Sequence, residues 1–465
     1  MSLRFGTDGV RGVAGSELTP ELVLALGRAA ARVLGVPGRP LVVGRDTRWS
    51  GPLIQAALSA GVAAEGVDVV DLGVLPTPGV AATAAVMGAP AAVISASHNP
   101  FADNGIKLLA AGGRKLGDEE EARVEAVLDA LLRPAGPTGG SGPAGARAPG
   151  AALDGSRLGR LTTDAGAAER YRRHLIGSLE GRDLERIPVA VDCGNGAAVS
   201  TAVAVLEAAG AEVVEVLSAD PDGTNINDGC GSTDPAALAE SVVARGAAAG
   251  LAFDGDADRV IAVDDRGRVV DGDRLIALFA ADLHARGRLS GDAVAVTVMT
   301  NLGFHRAMAA AGVKVASTPV GDRYVLEALE TNGWSLGGEQ SGHIIFRDLA
   351  TTGDGVLTGL LLLDLLVRTG RPLSDLADGA MVRLPQVLRN VRVADHTGLD
   401  RASGVWEAVR SVQAELGEEG RVLLRPSGTE KLIRVMVEAP TEDAALRAVD
   451  RLAASVIDSL GAPPG

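Results

Sequence analysis

The sequence has few aromatic residues and few cysteines. Of its 465 residues, 2% are aromatic and 2 are cysteine, whereas 46% are hydrophobic. The core must therefore be built mainly from Ala, Val and Leu. The sequence has too few aromatic residues for a site that stacks nucleic-acid bases or encloses a cation between aromatic rings. Cys193 and Cys230 show neither C-x-x-C nor zinc spacing. We therefore expect two reduced thiols in a cytoplasmic protein.

Long apolar runs and an excess of positive charge are also absent. The most apolar stretch, LTGLLLLDLLV at 357–367, is too short to span a bilayer and contains Asp364. The opening MSLRFGTDGVRG is polar and glycine-rich, unlike a signal peptide. The formal net charge of -15 argues against nucleic acid and anionic membranes as partners. These features predict a soluble, intracellular protein.

One α/β unit recurs three times along the chain. Residues 40–73, 187–217 and 292–321 each contain an apolar strand, a helix and a second strand, and each is followed by a further helix, a short strand and a polar loop. In the first copy we predict a helix from about Ser50 to Gly61 or Gly66. Loops beyond the carboxyl ends of strands build the site in open α/β sheets, so three such loops imply one shared cleft.

The length predicts about three or four domains. We expect three tandem related α/β domains and a C-terminal α+β domain, because the pattern changes from about residue 376. The predicted boundaries are 1–155, 156–263, 264–375 and 376–465. Residues 134–152 contain no Leu, Ile, Val or aromatic residue and are predicted to be a flexible linker or surface insertion, to which we assign no function.

The stretch ISASHNP places a polar turn at the end of an apolar strand. Pro100 disfavours an α conformation at Asn99. A hydroxyl at Ser97 beside an imidazole at His98 is typical of an activated nucleophile or a phosphate acceptor. An ordinary serine-rich turn is the alternative for this loop taken alone.

The stretch FDGDADR places Asp254, Asp256 and Asp258 at alternate positions. In an extended segment this period points the carboxylates to one side, where they repel one another unless a cation lies among them. Oxygen-only ligands suit Mg²⁺ or Ca²⁺. An EF-hand is excluded, because Arg259 and Asp265 stand where it needs Gly and Glu. A solvated acidic turn is the alternative.

Three further loops carry groups that suit an anion or a sugar. RFGTDGVRG near the start resembles an anion-binding nest. GGEQSGH is predicted to present Glu339, Ser341 and His343 on one face of a loop, where a carboxylate and a hydroxyl suit sugar hydroxyls. RPSGTEKLIRV suits a phosphate dianion but lacks P-loop spacing. The candidate substrate-binding residues in these loops are Thr7 and Arg11; Glu339, Ser341 and His343; and Arg425, Ser427, Gly428, Thr429 and Arg434.

In this order, ASHNP, DGDADR, GEQSGH and RPSGTE resemble the phosphoserine, metal, sugar and phosphate loops of the α-D-phosphohexomutase superfamily, over essentially the whole chain. The resemblance implies a heart-shaped molecule with a central cleft and a mobile C-terminal domain. It also implies that phosphorylated Ser97 gives its phosphoryl group to a sugar phosphate and takes back the other phosphate of a sugar 1,6-bisphosphate. One Mg²⁺ on Ser97, Asp254, Asp256 and Asp258 would neutralise charge.

The resemblance also implies roles for individual residues. Ser97 is the expected phosphoryl carrier, and the general base is left open among His98, Lys107 and Arg259. Arg323, within VGDRYV, is a further candidate for substrate binding. A kinase or a bisphosphate donor would first phosphorylate Ser97, and the protein is expected to be a monomer or a homodimer.

The substrate is a small phosphosugar by the same resemblance. FGTDGVRG, VGDRYV and Gln340 favour the branch that interconverts glucosamine 6-phosphate and glucosamine 1-phosphate for amino-sugar nucleotide and cell-wall synthesis. The alternatives are a mutase of glucose or mannose phosphates, a metal-dependent sugar phosphatase and a non-catalytic phosphosugar-binding protein. The intact Ser97 and the three aspartates argue against pure binding.

Two positions depart from the pattern of the superfamily. Ala257 stands where Gly is usual, which we expect to matter little because Ala leaves the carboxylates in place. Lys431 stands where Pro is usual, which predicts a looser hinge.

Overall fold

The computed structural model describes residues 9–133, 154–427 and 431–461. Outside these ranges lie three candidate site residues, Thr7, Gly428 and Thr429, and the whole predicted linker at 134–152. The chain divides into two compact units. The larger unit comprises residues up to 298 together with 313–377, and the smaller comprises 299–312 together with 378 onward.

The first sheet of the larger unit has a parallel core with antiparallel strands on one side. Its strands are β1 (Val10–Val13), β2 (Leu41–Arg45), β3 (Val69–Val74), β4 (Ala91–Ile94), β5 (Asp103–Ala110), β6 (Arg114–Lys115) and β7 (Leu161–Thr163), in the order β1-β5-β4-β2-β3-β7 with β6 on β5. The helices of this region are α1 (Pro20–Leu34), α2 (Gly51–Ala64), α3 (Thr77–Met87), α4 (Asp118–Leu132) and α5 (Ala167–Gly177).

Two more sheets follow in the same unit. The second sheet, ordered β12-β11-β10-β8-β9, contains β8 (Pro188–Asp192), β9 (Glu212–Leu217), β10 (Ala249–Phe253), β11 (Val260–Asp264) and β12 (Val269–Val270), with helices α6 (Ala202–Ala208) and α7 (Ala236–Arg245). After α8 (Gly272–Ala285), the third sheet, ordered β14-β13-β15-β16, contains β13 (Ala293–Thr297), β14 (Lys314–Thr318), β15 (Leu336–Gly338) and β16 (Ile344–Phe346). The helices along this part of the sequence are α9 (Leu302–Ala310), α10 (Asp322–Asn332), α11 (Gly355–Thr369) and α12 (Leu373–Ala380). Of these, α9 belongs to the smaller unit, and the last residues of α12 do so too.

The three sheets share one topology. In each, the first strand of the repeat lies between the second and the third, and all three run parallel: β3-β2-β4, β9-β8-β10 and β14-β13-β15. A fourth strand then returns antiparallel beside the third, as β5, β11 and β16. The predicted threefold repeat is therefore present, and it extends to a return strand that the sequence analysis did not identify.

Helix α2 of the first repeat continues through Gly61 and ends before Gly66. Helix α2 begins one residue after Ser50, as predicted, and ends at Ala64, shortly before Gly66 with its φ of 84°. Gly61 lies inside the helix, so the earlier of the two predicted ends is wrong. A Cβ at Gly61 would lie 2.1 Å from the carbonyl oxygen of Leu24, and one at Gly27 would lie 2.2 Å from that of Leu58. These glycines let the backbones of α1 and α2 approach closely.

The smaller unit is built around an antiparallel sheet ordered β17-β19-β18. Its elements are β17 (Gln386–Arg392), α13 (Ser403–Leu416), β18 (Arg421–Pro426), β19 (Leu432–Glu438) and α14 (Glu442–Leu460). Val405 of α13 and Val449 of α14 join Ile433 and Val435 of β19 in one buried apolar core. The predicted C-terminal α+β domain, and with it the predicted fold class, is confirmed.

None of the helices within the described ranges has the length and apolar character needed to cross a membrane.

Candidate active site

The serine loop, residues 95–102, connects β4 to β5. Ser97 is buried, and its backbone lies in the left-handed region with a φ of 53°. Its Oγ donates a hydrogen bond of 2.6 Å to Asp254 Oδ2 and lies 3.3 Å from His98 Nδ1. Its backbone N–H donates to Ser95 Oγ at 2.9 Å. The Ser97 hydroxyl therefore points toward the aspartates.

The metal loop, residues 254–259, connects β10 to β11 and gathers three carboxylates. Asp254, Asp256 and Asp258 are buried, and one oxygen of each lies within 4.8 Å of the others. Lys107 Nζ bridges Asp256 and Asp258, at 2.8 Å and 3.1 Å. Within the described part of the chain, Asp256 Oδ1 and Asp258 Oδ1 are buried without a hydrogen-bond partner. This all-oxygen group fits a hard divalent cation.

Burial and neighbouring charges shift the pKa values of Asp254 and Asp258 in opposite directions. Burial, followed by the charges of Asp258 and Asp256, raises the pKa of Asp254 well above its usual range. Burial alone would also raise the pKa of Asp258, but Lys107 and His343 hold it well below its usual range. The protein therefore compensates part of this negative charge, and a bound cation would compensate the rest.

Two arginines lie beside the imidazole of His98. Burial, then the charges of Arg259 and Arg11, lower the pKa of His98 to about 4. Arg259 Nη1 lies 3.2 Å from His98 Nδ1. Because a guanidinium only donates, Nδ1 is the accepting nitrogen and the ring is neutral at pH 7. The structure thus brings Ser97, His98, Arg11 and Arg259 together.

The sugar loop, residues 339–343, connects β15 to β16. Glu339 accepts hydrogen bonds from the backbone of Gly321 at 3.1 Å and from Ser341 Oγ at 3.4 Å, so these two candidates share a face. The third candidate of this loop, His343, contacts the metal loop. It is buried, 3.6 Å from Asp258 Oδ2, because the chain turns at Gly342 with a φ of 90°.

Family models for four domains cover nearly the whole chain. The phosphoglucomutase/phosphomannomutase α/β/α domains I, II and III match residues 2–133, 169–267 and 271–384, and the C-terminal domain matches 388–455. The chain belongs to the phosphoglucomutase/phosphomannomutase family. A relative from Frankia alni, named phosphoglucosamine mutase, is 52% identical over 100% of both chains. Another of that name, from Rhodococcus opacus, is 50% identical over 98% of this chain and 99% of its own.

Members of the family with solved structures share this fold. A phosphoglucomutase/phosphomannomutase family protein from Burkholderia thailandensis is 27% identical and aligns over 99% of this chain and 98% of its own, with a TM-score of 0.78. The N-acetylphosphoglucosamine mutase of Aspergillus fumigatus, in complex with GlcNAc-6P and magnesium, aligns over 99% of this chain and 96% of its own at 18% identity, with a TM-score of 0.68. The second likeness concerns the fold alone.

Arg323, a candidate from the family resemblance, is engaged by α4. It contacts Asp118 at 2.6 Å and Glu121 at 3.3 Å, and its guanidinium carbon lies 5.2 Å from the ring centre of Tyr324. These acidic partners could not be recognised from the sequence, because many helices begin with several acidic residues, which the helix dipole favours.

In the smaller unit, two candidate arginines lie directly opposite each other. Arg425 of β18 pairs in register with Arg434 of β19, and the Ser427 N–H donates to the Leu432 carbonyl at 2.9 Å. Like charges at opposite positions of an antiparallel pair destabilise it. That this loop binds phosphate stays a prediction.

The sequence analysis missed several residues that hold the site. Thr77, at the start of α3, donates from Oγ1 to Asp256 Oδ2 at 2.6 Å and from its N–H to the Asp256 carbonyl at 2.9 Å. Asp46 accepts from Ser95 Oγ at 2.7 Å and pairs with Arg48 at 2.9 Å. For Asp46 and Arg48 the sequence signal is the four-residue stretch RDTR, which begins on the last residue of a buried strand.

Proposed function

We propose that this protein is a phosphoglucosamine mutase, an isomerase that interconverts glucosamine 6-phosphate and glucosamine 1-phosphate. The observation that carries the proposal is the 2.6 Å hydrogen bond from Ser97 Oγ to Asp254 within a buried group of three aspartates. Relatives of that name, 50–52% identical over the full length, support the choice of an amino sugar.

Ser97 carries the phosphoryl group in this proposal. In the first half-reaction, a sugar hydroxyl oxygen bonds to phosphorus, the bond between Ser97 Oγ and phosphorus breaks, and the proton of the sugar hydroxyl ends on Ser97 Oγ. In the second, Ser97 Oγ bonds to the other phosphorus of the sugar 1,6-bisphosphate, the bond from that phosphorus to the sugar oxygen breaks, and the serine proton ends on the released sugar oxygen. His98 is the proposed acceptor of the serine proton, because its ring is neutral at pH 7 and lies 3.3 Å from Oγ.

The remaining candidates are proposed to bind the cation and the sugar phosphate. Asp254, Asp256 and Asp258, with a phosphate oxygen on Ser97, would hold one Mg²⁺, which supplies positive charge to the transferring group. Lys107, held between two of these aspartates, offsets their charge. The proposed substrate-binding groups are Thr7, Arg11, Arg323, Glu339, Ser341 and His343, together with the proposed phosphate-binding groups Arg425, Ser427, Gly428, Thr429 and Arg434.

A substrate panel tests this function. Ser97-phosphorylated protein is assayed with glucosamine 1-phosphate, glucose 1-phosphate and mannose 1-phosphate, and kcat/KM should be highest for the amino sugar. Some activity on the hexose phosphates is expected, because a hydroxyl in place of the amine keeps a hydrogen-bond donor. Ser97→Ala should lose several orders of magnitude in turnover, as expected when a covalent nucleophile is removed.

The same panel distinguishes the alternatives. Equal or better turnover of glucose or mannose phosphate would favour a hexose phosphomutase, an activity that the family description also includes. Release of inorganic phosphate in step with loss of substrate would indicate a phosphatase. Full activity in Ser97→Ala would rule out the phosphoserine cycle.

A further inference from the structure

A fully buried arginine holds the backbone of the serine loop. Arg48 has an exposed fraction of 0%. Its Nη2 donates to the carbonyl oxygens of Ser97 and Asn99, at 2.9 Å and 2.8 Å. Its Nη1 donates to the carbonyls of Pro100 and, at 3.0 Å, Asp103. One guanidinium therefore contacts four carbonyls within a segment of seven residues. A side chain without the rigid fork of donors that arginine carries cannot make this set of contacts.

A second side chain donates to two of the same carbonyls from a distant part of the sequence. Asn227 Nδ2 lies 2.9 Å from the Ser97 carbonyl oxygen and 3.3 Å from that of Asn99. Its backbone is left-handed, with a φ of 57°, and its N–H donates to the Gly194 carbonyl at 3.0 Å. Asn227 lies in the range matched by family domain II, whereas Ser97 lies in that of domain I.

The Ser97 carbonyl is thereby fixed from three directions. Besides Arg48 and Asn227, it lies against the metal loop, where a Cβ at Gly255 would be only 2.5 Å from the carbonyl oxygen. Ser97 has a left-handed backbone that an L-residue keeps only when its surroundings impose it. Because the carbonyl sets the peptide plane that follows Ser97, these contacts hold the backbone from which the Cα–Cβ bond projects, and that bond carries Oγ.

We propose that Arg48 and Asn227 are positioning residues that hold Ser97 in its reactive orientation, an inference that rests on the phosphoserine cycle proposed above. Neither side chain bonds Ser97 Oγ in the structure. Their loss should therefore lower kcat and leave the KM for the sugar phosphate nearly unchanged, because a small misplacement of reacting atoms slows the chemical step.

The chain offers a matched pair of variants for the test. Asn227→Gly removes the side-chain amide while allowing the left-handed backbone. Asn195→Gly is its control. Asn195 is also left-handed, with a φ of 48°, and its side chain makes two hydrogen bonds, to the Asn225 carbonyl and from the Asp220 N–H, but none to the serine loop.

Kinetics and ³¹P NMR then give separate readouts. In Asn227→Gly we expect kcat for glucosamine 1-phosphate to fall by about 10- to 100-fold, KM to stay within about twofold, and the ³¹P resonance of the Ser97 phosphate to move. Asn195→Gly should keep the wild-type kcat and resonance. Thermal unfolding of both variants measures any general loss of stability. If Asn227 had only a structural role, we would expect the two variants to lose stability and activity to the same extent.

Arg48→Lys is a second, stricter variant. Lysine keeps the charge opposite Asp46 but not the fork, so kcat should fall further than in Asn227→Gly. Wild-type kcat and ³¹P resonance in Asn227→Gly would overturn the proposal, as would equal losses in Asn195→Gly. If the wild-type protein isomerises no phosphosugar, the proposed function fails, and the ³¹P comparison still decides whether Asn227 positions Ser97.

Discussion

At the scale of residues, the serine loop and the metal loop each contain a residue other than glycine with a left-handed backbone. Ser97 in the serine loop and Ala257 in the metal loop both have a φ of 53°. Such conformations are sparsely populated by L-residues and gather at functional sites. The φ of Ala257 explains why glycine is usual at this position in the superfamily, because glycine adopts the left-handed region without strain.

We expect Ala257→Gly to stabilise the fold. Relief of the left-handed alanine should outweigh the extra chain entropy of glycine and raise the free energy of unfolding by about 0.5–1 kcal/mol. Ala262→Gly, in buried strand β11, is the control and should destabilise. Thermal unfolding of both variants measures the effect. If Ala257→Gly unfolds at a lower temperature than wild type, the strain at this position is not important.

The residues that the sequence predicted differ in kind from those it missed. Ser97 and the three aspartates follow from short-range spacing, because each group lies on one loop. Thr77 is 179 positions from Asp256, and Asn227 is 130 positions from Ser97. Contacts between segments so far apart depend on how the sheets are placed, which local spacing does not encode. Thr77 and Asn227 thus became visible only in the structure.

At the scale of elements, the β18–β19 hairpin holds the proposed phosphate-binding arginines. Arg425→Ala should weaken phosphosugar binding by about 1.5–3 kcal/mol, the range for hydrogen bonds to charged groups. Arg447→Ala, on the exposed face of α14, removes an arginine from the same unit and should leave affinity unchanged. Calorimetric titration with glucosamine 1-phosphate compares the two. Equal affinities would argue against phosphate binding at this hairpin.

The elements themselves were largely predictable. Apolar runs bounded by glycines marked the strands and helices of each repeat, and helix α2 began where Ser50 and Pro52 predicted. The return strands β5, β11 and β16 were missed, because each directly follows a loop whose polar residues drew a functional interpretation. Their antiparallel pairing is a long-range property that the run of residues does not specify.

At the scale of the whole molecule, the four-domain α/β architecture followed from the threefold repeat and the different tail. The boundaries 1–155, 156–263, 264–375 and 376–465 stay predictions. They place the first boundary between the ranges that family domains I and II match, which end at 133 and begin at 169.

Dependence on a metal ion is a property of the whole enzyme. Chelation should abolish turnover and Mg²⁺ should restore it, because the buried carboxylates need positive charge. Asp256→Asn should lower Mg²⁺ affinity, measured by calorimetry, while the fold persists. Asp348→Asn, at an exposed ion pair with Arg347, is the control and should bind Mg²⁺ as wild type does. Undiminished turnover after exhaustive chelation would contradict the metal site.

The return strand of each repeat also has an entropic consequence. The metal loop is closed by the pair Phe253 and Val260, and the sugar loop by Gly338 and Ile344. The chain entropy of closing each loop is thus lost when the sheet forms, rather than when a ligand arrives. A ligand then has little chain left to order, so more of its interaction energy appears as affinity. The same early closure brings the three aspartates together before a cation binds, so their mutual repulsion lowers the stability of the protein without a bound cation.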